Sequence, residues 1–120
     1  MSKKTASGPA CPIHGMLETL TRPWTLHILW ALSTNGPMRF GVLRRSIEGI
    51  SSRVLTQRLR GLEGKGYLYR EYKPTIPPEV TYGLTKRMRD IQTVLGGLER
   101  LARKWQMQET SPRQAVKRRA

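Results

Sequence analysis

The sequence predicts a mainly α-helical domain that carries one small β-hairpin. Apolar residues recur at helical spacing along most of the chain, and a Tyr-containing segment changes to alternation with a period of two residues. The length of 120 residues leaves room for a single domain. We predict this domain over residues 11–106, between a flexible polar arm, residues 1–10, and a basic tail, residues 107–120.

The first two helices are predicted from apolar spacing and from proline and glycine signals. The first begins at Cys11-Pro12, because proline suits the first position of a helix. The second runs from about Pro23 to Thr34 and ends at Asn35-Gly36-Pro37. Its apolar residues cover most of the circumference, which predicts a central, buried helix.

A short helix, a glycine-containing turn and a longer helix follow. The short helix is predicted over Arg39 to Ile47, and the turn contains Gly49. The longer helix is capped by Ser51 or Ser52 and ends near Gly64. Its apolar face consists of Leu55, Leu59 and Leu62. This order of elements is the helix-turn-helix motif, in which the second helix enters the major groove of DNA.

Two strands and a last helix complete the prediction. The strands cover residues 67–73 and 80–84, and the prolines between them belong in a loop, so the pair forms a two-stranded wing. The last helix starts after Thr85 and continues to about Trp105. Gly96-Gly97 interrupts its apolar stripe, which predicts close packing at that point.

The charge balance indicates a polyanionic partner. Lys and Arg number 22 against 8 Asp and Glu, a formal net charge of +14 at pH 7. Nucleic acid fits this excess best, because binding releases the counterions condensed on its phosphates. No stretch approaches the roughly 20 apolar residues of a membrane span, and the start lacks the apolar region of a signal peptide. We therefore expect a cytoplasmic, nucleoid-associated protein whose partner is double-stranded DNA and not a membrane.

The candidate base-reading residues lie opposite the leucines of the longer helix. Arg53, Gln57 and Arg60 are spaced at i, i+4 and i+7, on one strip of surface. Arginine bonds guanine bidentately, and glutamine does the same with adenine. Ser52 and Thr56 add small hydroxyl groups near the start of the helix. Exposed arginine and glutamine are common on any helix, so the assignment depends on the turn, the wing and the charge.

The candidate contacts to the DNA backbone come from the short helix, the turn and the wing. They are Arg39, Arg44, Arg45, Ser51, Arg70 and Lys73. A solvated hairpin edge protected by charge explains the two wing residues equally well. The basic ends of the chain suit either added affinity for nucleic acid or simple solubility.

The first and last helices expose more apolar surface than a three-helix core with a wing requires. Two copies that pack these helices together would bury it and present two reading helices to one face of the DNA. The alternative is that the last helix folds back on its own core.

Cys11, the single cysteine, is a candidate redox sensor. It stands at a predicted helix start, where free amide groups favour the thiolate anion, and His14 follows one turn later. Oxidation or alkylation would then be the signal, although an inert, partly buried thiol is the simpler explanation. Cys11 and His14 are two ligands and do not make a zinc site. We predict no metal, no cofactor and no catalytic constellation.

The chain from roughly Cys11 to Trp105 resembles the HxlR-type transcriptional regulators, relatives of the MarR group. The likeness lies in Cys11-Pro12, in residues 24–29, in Arg39-Phe40 with Leu43-Arg44-Arg45, in residues 50–59 and in residues 77–85. It implies a winged helix-turn-helix that dimerises through its terminal helices. In several members the cysteine that matches Cys11 senses oxidants or electrophiles; others respond to different signals. Two places depart from the family pattern: Arg22-Pro23, where Gly-Lys is usual, and Arg87-Met88, near a usual glycine.

The sequence thus predicts a transcriptional regulator that binds an inverted repeat as a homodimer, with Cys11 or a small molecule as a possible point of control. The alternative is a winged-helix protein that binds DNA without sequence preference or binds RNA. A third class, a protein-interaction adaptor, would show no salt-dependent binding to duplex DNA. Preference for one inverted repeat by about a thousandfold separates the first class from the second.

Overall fold

The computed structural model describes residues 11–109. Its helices are α1 (His14–Leu20), α2 (Thr25–Asn35), α3 (Phe40–Ser46), α4 (Ser52–Gly64) and α5 (Ile91–Glu109), with a 3-10 turn (Arg87–Asp90) before α5. Its strands are β1 (Met38–Arg39), β2 (Leu68–Lys73) and β3 (Glu79–Leu84). The predicted mainly helical class is confirmed. The predicted arm, residues 1–10, and most of the predicted tail lie outside the described residues.

One apolar core joins α2, α3 and α4 to the base of the sheet and the first turns of α5. The side chains buried most completely come from these three helices and from the start of β2. Besides Thr25, they are Ile28, Leu29, Leu32, Leu43, Leu55, Leu59 and Leu68. The six apolar residues on the helices follow the helical period, so the predicted apolar faces of these helices are confirmed.

The turn and cap of the helix-turn-helix form as predicted. Ser51 caps α4, and its hydroxyl oxygen accepts a hydrogen bond from the Val54 amide at 3.1 Å. Gly49 adopts φ +95° in the turn, a left-handed conformation that favours glycine. A Cβ at Gly49 would also lie 3.3 Å from the Trp24 ring, so the turn packs closely on the start of α2.

The first two helices begin later than predicted. Pro12 and Ile13 form a turn, closed by the His14 amide bonding to the Cys11 carbonyl at 3.2 Å, and α1 starts only at His14. The helix α2 starts at Thr25, two residues after Pro23, because Trp24 takes a left-handed backbone conformation with φ 71°. A start near Cys11-Pro12 or Pro23 is therefore wrong by two or three residues.

The burial of α2 is confined to one side. Ile28, Leu29 and Leu32 are buried in the core, whereas Leu26 and His27 are exposed. The helix is central, as predicted, but it is not buried all round. Its exposed side carries apolar surface that no element within residues 11–109 covers.

The sheet has three strands and not the two predicted. The extra strand is β1, which pairs antiparallel with β3 through Met38 opposite Tyr82 and Arg39 opposite Thr81. The predicted helix start at Arg39 is wrong, because this residue lies in the strand and immediately precedes α3. The strand ties the start of the helix-turn-helix to the wing.

The wing is the β2–β3 hairpin, and its register decides where its cations lie. Arg70 is opposite Tyr82, and Lys73 is opposite Glu79. Because side chains alternate along a strand, Arg70 and Lys73 extend from opposite faces of the wing. Gly83 is opposite Tyr69, whose ring occupies the space that a Cβ at Gly83 would need.

The last α-helix begins later than predicted, because a 3-10 turn (Arg87–Asp90) stands between Thr85 and α5, and it also ends later. The Thr85 hydroxyl oxygen accepts a hydrogen bond from the Met88 amide at 3.3 Å, which is the bond expected of a cap. The same hydroxyl donates to the Gly66 carbonyl at 2.9 Å. A 3-10 turn follows, and α5 extends to Glu109, into the segment predicted as tail. A Cβ at Gly96 or Gly97 would contact only Arg100 of the same helix, so the predicted close packing is absent within the described chain.

No helix among residues 11–109 is long and apolar enough to cross a membrane.

Candidate nucleic-acid interface

The candidate base-reading surface of α4, called the reading face below, consists of Ser52, Arg53, Thr56, Gln57 and Arg60. All but the half-buried Thr56 are exposed. Arg53, Gln57 and Arg60 lie on the side of α4 opposite the core, and Ser52 and Thr56 lie at the border of that side. The opposite side carries the leucines that fill the core. A helix that buries one side completely is held firmly, and its other side is available for contact with a partner.

The start of α4 is fixed by its cap. Ser51 accepts a hydrogen bond from Val54 through its side-chain oxygen, so its hydroxyl hydrogen stays available to donate to a phosphate. Ser51 is exposed, and it lies immediately before the reading face. Capping and a DNA backbone contact are compatible roles for this residue.

Arg44 and Arg45 lie in the last turn of α3, and Arg39 lies in β1. The helix C-terminus favours cations, and both α3 arginines are exposed without an ion pair among residues 11–109. Arg39 differs, because its guanidinium pairs with Glu79 of β3 at 3.2 Å. This ion pair reinforces the pairing of β1 with the wing, so Arg39 positions the wing as well as presenting charge.

Arg70 and Lys73 are both exposed on the wing. Their positions on opposite faces of the hairpin mean that they form no single charged patch. A wing lying along a minor groove has one phosphate backbone on each side, and this arrangement offers one cation to each.

A cleft of about 640 Å³, not predicted from the sequence, separates α4 from the corner between α1 and α2. The Arg58 Nε donates a hydrogen bond to the Pro23 carbonyl across this corner at 2.8 Å. Basic side chains contributed by Arg22, Arg58 and Lys65 line it, together with Gln57 of the reading face. Since Pro23 and Arg58 are 35 residues apart, no local pattern in the sequence indicates that they meet.

The terminal helices expose apolar residues. On α1 and just before it, Ile13, Met16 and Leu17 are exposed, and α5 exposes Val94, Leu98, Leu101 and Trp105. An apolar cavity of about 360 Å³ lies between α2 and α5. It is lined by Leu26, His27, Trp30, Leu95, Leu98, Glu99 and Ala102.

Cys11 lies in the turn before α1 and is half-buried and free. Its carbonyl accepts a hydrogen bond from the His14 amide. Cys11 therefore lies in the turn, three residues before α1 begins at His14, and not at the helix start predicted from the sequence. His14 pairs with Glu18 at 3.4 Å. Within the part of the chain that the structure describes, no three His, Cys, Asp or Glu residues gather to hold a metal ion.

The family model for HxlR-like helix-turn-helix proteins matches residues 19–110. This match includes the reading face, the wing and the whole of α5. The chain belongs to this family. The HxlR resemblance predicted from the sequence is thereby confirmed.

A curated relative and a solved structure similar to this chain are both described as transcriptional regulators. An HTH-type transcriptional regulator of Synechocystis sp. is 39% identical over 104 residues, which is 87% of this chain and 76% of the relative. A MarR-family transcriptional regulator from Porphyromonas gingivalis superposes with a TM-score of 0.73 at 29% identity, covering 80% of this chain and 93% of that one. The predicted winged helix-turn-helix fold is confirmed, and this HxlR-type protein is a transcriptional regulator and not an enzyme.

One similar structure is that of a redox regulator, HypR, in its oxidised form. It superposes with a TM-score of 0.71 at 29% identity and covers 78% of this chain and 96% of its own.

Proposed function

We propose that this HxlR-type regulator is a homodimer that recognises an inverted repeat in double-stranded DNA of the nucleoid. The observation that carries the proposal is the division of α4 into two sides. Leu55, Leu59 and Leu62 are fully buried, while Arg53, Gln57 and Arg60 are exposed beside the capped start of the helix. A rigid helix with bidentate donors on its free side has the properties required for reading base edges.

The apolar terminal helices support the dimer. The exposed residues of α1 and α5, together with the apolar cavity between α2 and α5, form a surface that a second copy would cover. A two-fold axis through that surface presents two α4 helices to successive major grooves, about 34–36 Å apart. The preferred DNA is then an inverted repeat with half-sites about one helical turn apart.

Sequence-independent binding to DNA or RNA is the competing function, because the net charge of +14 supports it equally. Selection of binding sequences from a pool of randomised duplexes separates the two. We expect enrichment of one inverted repeat, bound about a thousandfold or more tightly than random duplex at 0.15 M salt. A pool that stays random after several rounds, with equal affinity for RNA hairpins, would support the competing function.

Variants of the reading face complete this test. We expect Gln57→Ala to lower the affinity for the selected sequence and to leave the affinity for random duplex nearly unchanged. Arg100→Ala is a suitable control, because Arg100 is exposed on α5 and lies outside the reading face and the wing. A Gln57→Ala variant that keeps full discrimination would exclude this residue from base reading.

We further propose that oxidation of Cys11 controls DNA binding, an idea that the oxidised structure of the similar HypR supports. Hydrogen peroxide converts the thiol to a sulfenic acid and releases one water. A Cys11 thiol of the second subunit then displaces a second water and forms an intersubunit disulfide. The chain has no other cysteine with which to form it.

Electrophoresis without reductant, run alongside DNA binding, tests this control. We expect peroxide to produce a covalent dimer with altered affinity for the selected DNA, and dithiothreitol to reverse both changes. Cys11→Ser should bind DNA as the reduced protein does and ignore peroxide. An unchanged affinity after complete oxidation of Cys11 would show that the thiol has no regulatory role.

A further inference from the structure

We propose that the cleft between α4 and the α1–α2 corner binds a phosphate of the DNA backbone, at the border of the reading face. This inference rests on the proposed function and adds a contact site to it. The cleft is lined by Arg22, Arg58 and Lys65, with hydroxyl groups such as that of Thr21. Its one carboxylate, that of Glu18, is outnumbered by these three cations, so the balance of charge in the cleft is positive.

Arg58 is the most firmly held of the three cations. It is half-buried, and its Nε–H donates to the Pro23 carbonyl at 2.8 Å. Its terminal N–H groups donate to no protein atom within residues 11–109. A guanidinium held at one nitrogen and free at the others is well prepared to bond a phosphate oxygen, because little side-chain entropy remains to be lost.

The start of α2 adds to the positive potential. Thr25 is the first residue of this 11-residue helix and lines the cleft, so the amino end of the helix dipole lies at its wall. Partial positive charge at a helix N-terminus favours anions. Together with the three basic side chains, it makes the cleft suitable for a phosphate and unsuitable for a cation.

The position of the cleft identifies DNA as the source of the phosphate. Gln57, Gly61 and Lys65 follow one another at intervals of four residues, so they form one row along α4. Gln57 belongs both to this row and to the reading face, which makes the cleft the immediate neighbour of the bases that α4 would read. A helix in a major groove about 12 Å wide has a phosphate backbone on each side, and α4 would bring one of them to this row.

The first experiment removes the two cleft cations whose side chains make no hydrogen bond to α2, those of Arg22 and Lys65. We expect the double variant Arg22→Gln, Lys65→Gln to bind the selected and random duplexes about tenfold more weakly, to the same degree for both. The slope of log K against log salt should become shallower by about 1 per subunit, the change expected for one lost phosphate contact. The matched control, Arg100→Gln with Lys104→Gln, removes the same charge from α5 and should leave the slope unchanged. An equal effect of both double variants would overturn the proposal.

A second experiment identifies the phosphate itself. Duplexes with one phosphate in each half-site replaced by neutral methylphosphonate are scanned along the selected sequence. At one position we expect weaker binding of the unmodified protein and no further weakening of the Arg22→Gln, Lys65→Gln variant. If every position weakens both proteins equally, the cleft does not bind DNA. A second outcome leads to the same conclusion: inorganic phosphate added to the protein shifts the NMR signals of Arg22 and Lys65, but no methylphosphonate position distinguishes the unmodified protein from the variant. Failure of the unmodified protein to bind duplex at all would instead contradict the proposed function.

Discussion

The helices α4 and α5 are both amphipathic, but they place their apolar sides in opposite situations. In α4, Leu55, Leu59 and Leu62 are at most 2% exposed, and the exposed surface is polar and basic. In α5, only the first turns are buried in the core, while Val94 is 61% exposed and Trp105 is 53% exposed. The exposed surface of α4 is therefore polar and basic, whereas that of α5 is partly apolar, so the two helices suit different partners.

The difference teaches how one small chain supports two kinds of contact. The apolar side of α4 is already satisfied within the chain, so this helix can present charge and hydrogen-bond donors without losing its place in the fold. The apolar side of α5 is still available, because the core ends after Leu95. Burying such a stripe stabilises an assembly by roughly 25 cal/mol per Å² of apolar surface, before the costs of association are subtracted.

Truncation of the buried side of α4 should have the largest effect. Leu59 is 1% exposed, so we expect Leu59→Ala to lower the free energy of unfolding by about 2–5 kcal/mol through lost burial and a new cavity. Urea denaturation followed by circular dichroism measures this loss. The matched change on α5, Leu98→Ala, removes a side chain that is 53% exposed and should cost far less at low protein concentration. Equal losses would mean that the two apolar sides are buried alike.

Truncation of the exposed side of α5 should act on assembly. We expect Trp105→Ala to raise the dissociation constant of the dimer by about 30-fold or more, because buried aromatic residues carry much of the energy of an interface. Sedimentation equilibrium over a range of protein concentrations measures this change. Lys104→Ala, one residue earlier on the same helix, is the control that should leave the dimer intact. A protein that is monomeric throughout the range would remove the role assigned to α5.

Changes on the two basic surfaces should separate reading from backbone contact. We expect Arg53→Ala to cost about 1–3 kcal/mol in binding the selected DNA and much less with random duplex. Arg44→Ala, which removes an arginine from α3, should weaken binding to both by similar factors. Competition titrations in fluorescence anisotropy compare the four affinities. If only Arg44→Ala lost the preference for the selected DNA over random duplex, Arg44 would be the base-reading residue and Arg53 the backbone contact.

The parts of the fold that follow a local period could be predicted closely. The helix α4 and strands β2 and β3 lie within one residue of their predicted bounds, because their apolar spacing and the Ser51 cap are local features. The strand β1 has two residues and no period, so the sequence pattern does not predict it. The late start of α2 depends on the left-handed Trp24, whose ring packs on Gly49 in the turn before α4.

The candidate site divides in the same way. The exposed strip of α4 formed by Arg53, Gln57 and Arg60 could be predicted, since residues spaced by four and seven on a helix share one side whatever surrounds it. The cleft could not, because Arg58 meets Pro23 only through the tertiary fold. The ion pair between Arg39 and Glu79 is also a tertiary contact, 40 residues apart, and it adds a positioning role that the sequence did not indicate.

The smallest effect concerns two adjacent serines at the start of α4. Ser51 accepts from the Val54 amide, whereas Ser52 makes no side-chain hydrogen bond within the described chain. We expect Ser51→Ala to lower the free energy of unfolding by about 1 kcal/mol, because it leaves an amide of the first turn without a partner. Ser52→Ala should leave unfolding nearly unchanged and affect only DNA binding. Urea denaturation and DNA titration of both variants test the pair. Loss of stability in Ser52→Ala and not in Ser51→Ala would mean that Ser52 is the cap and that the helix begins one residue later than the structure places it.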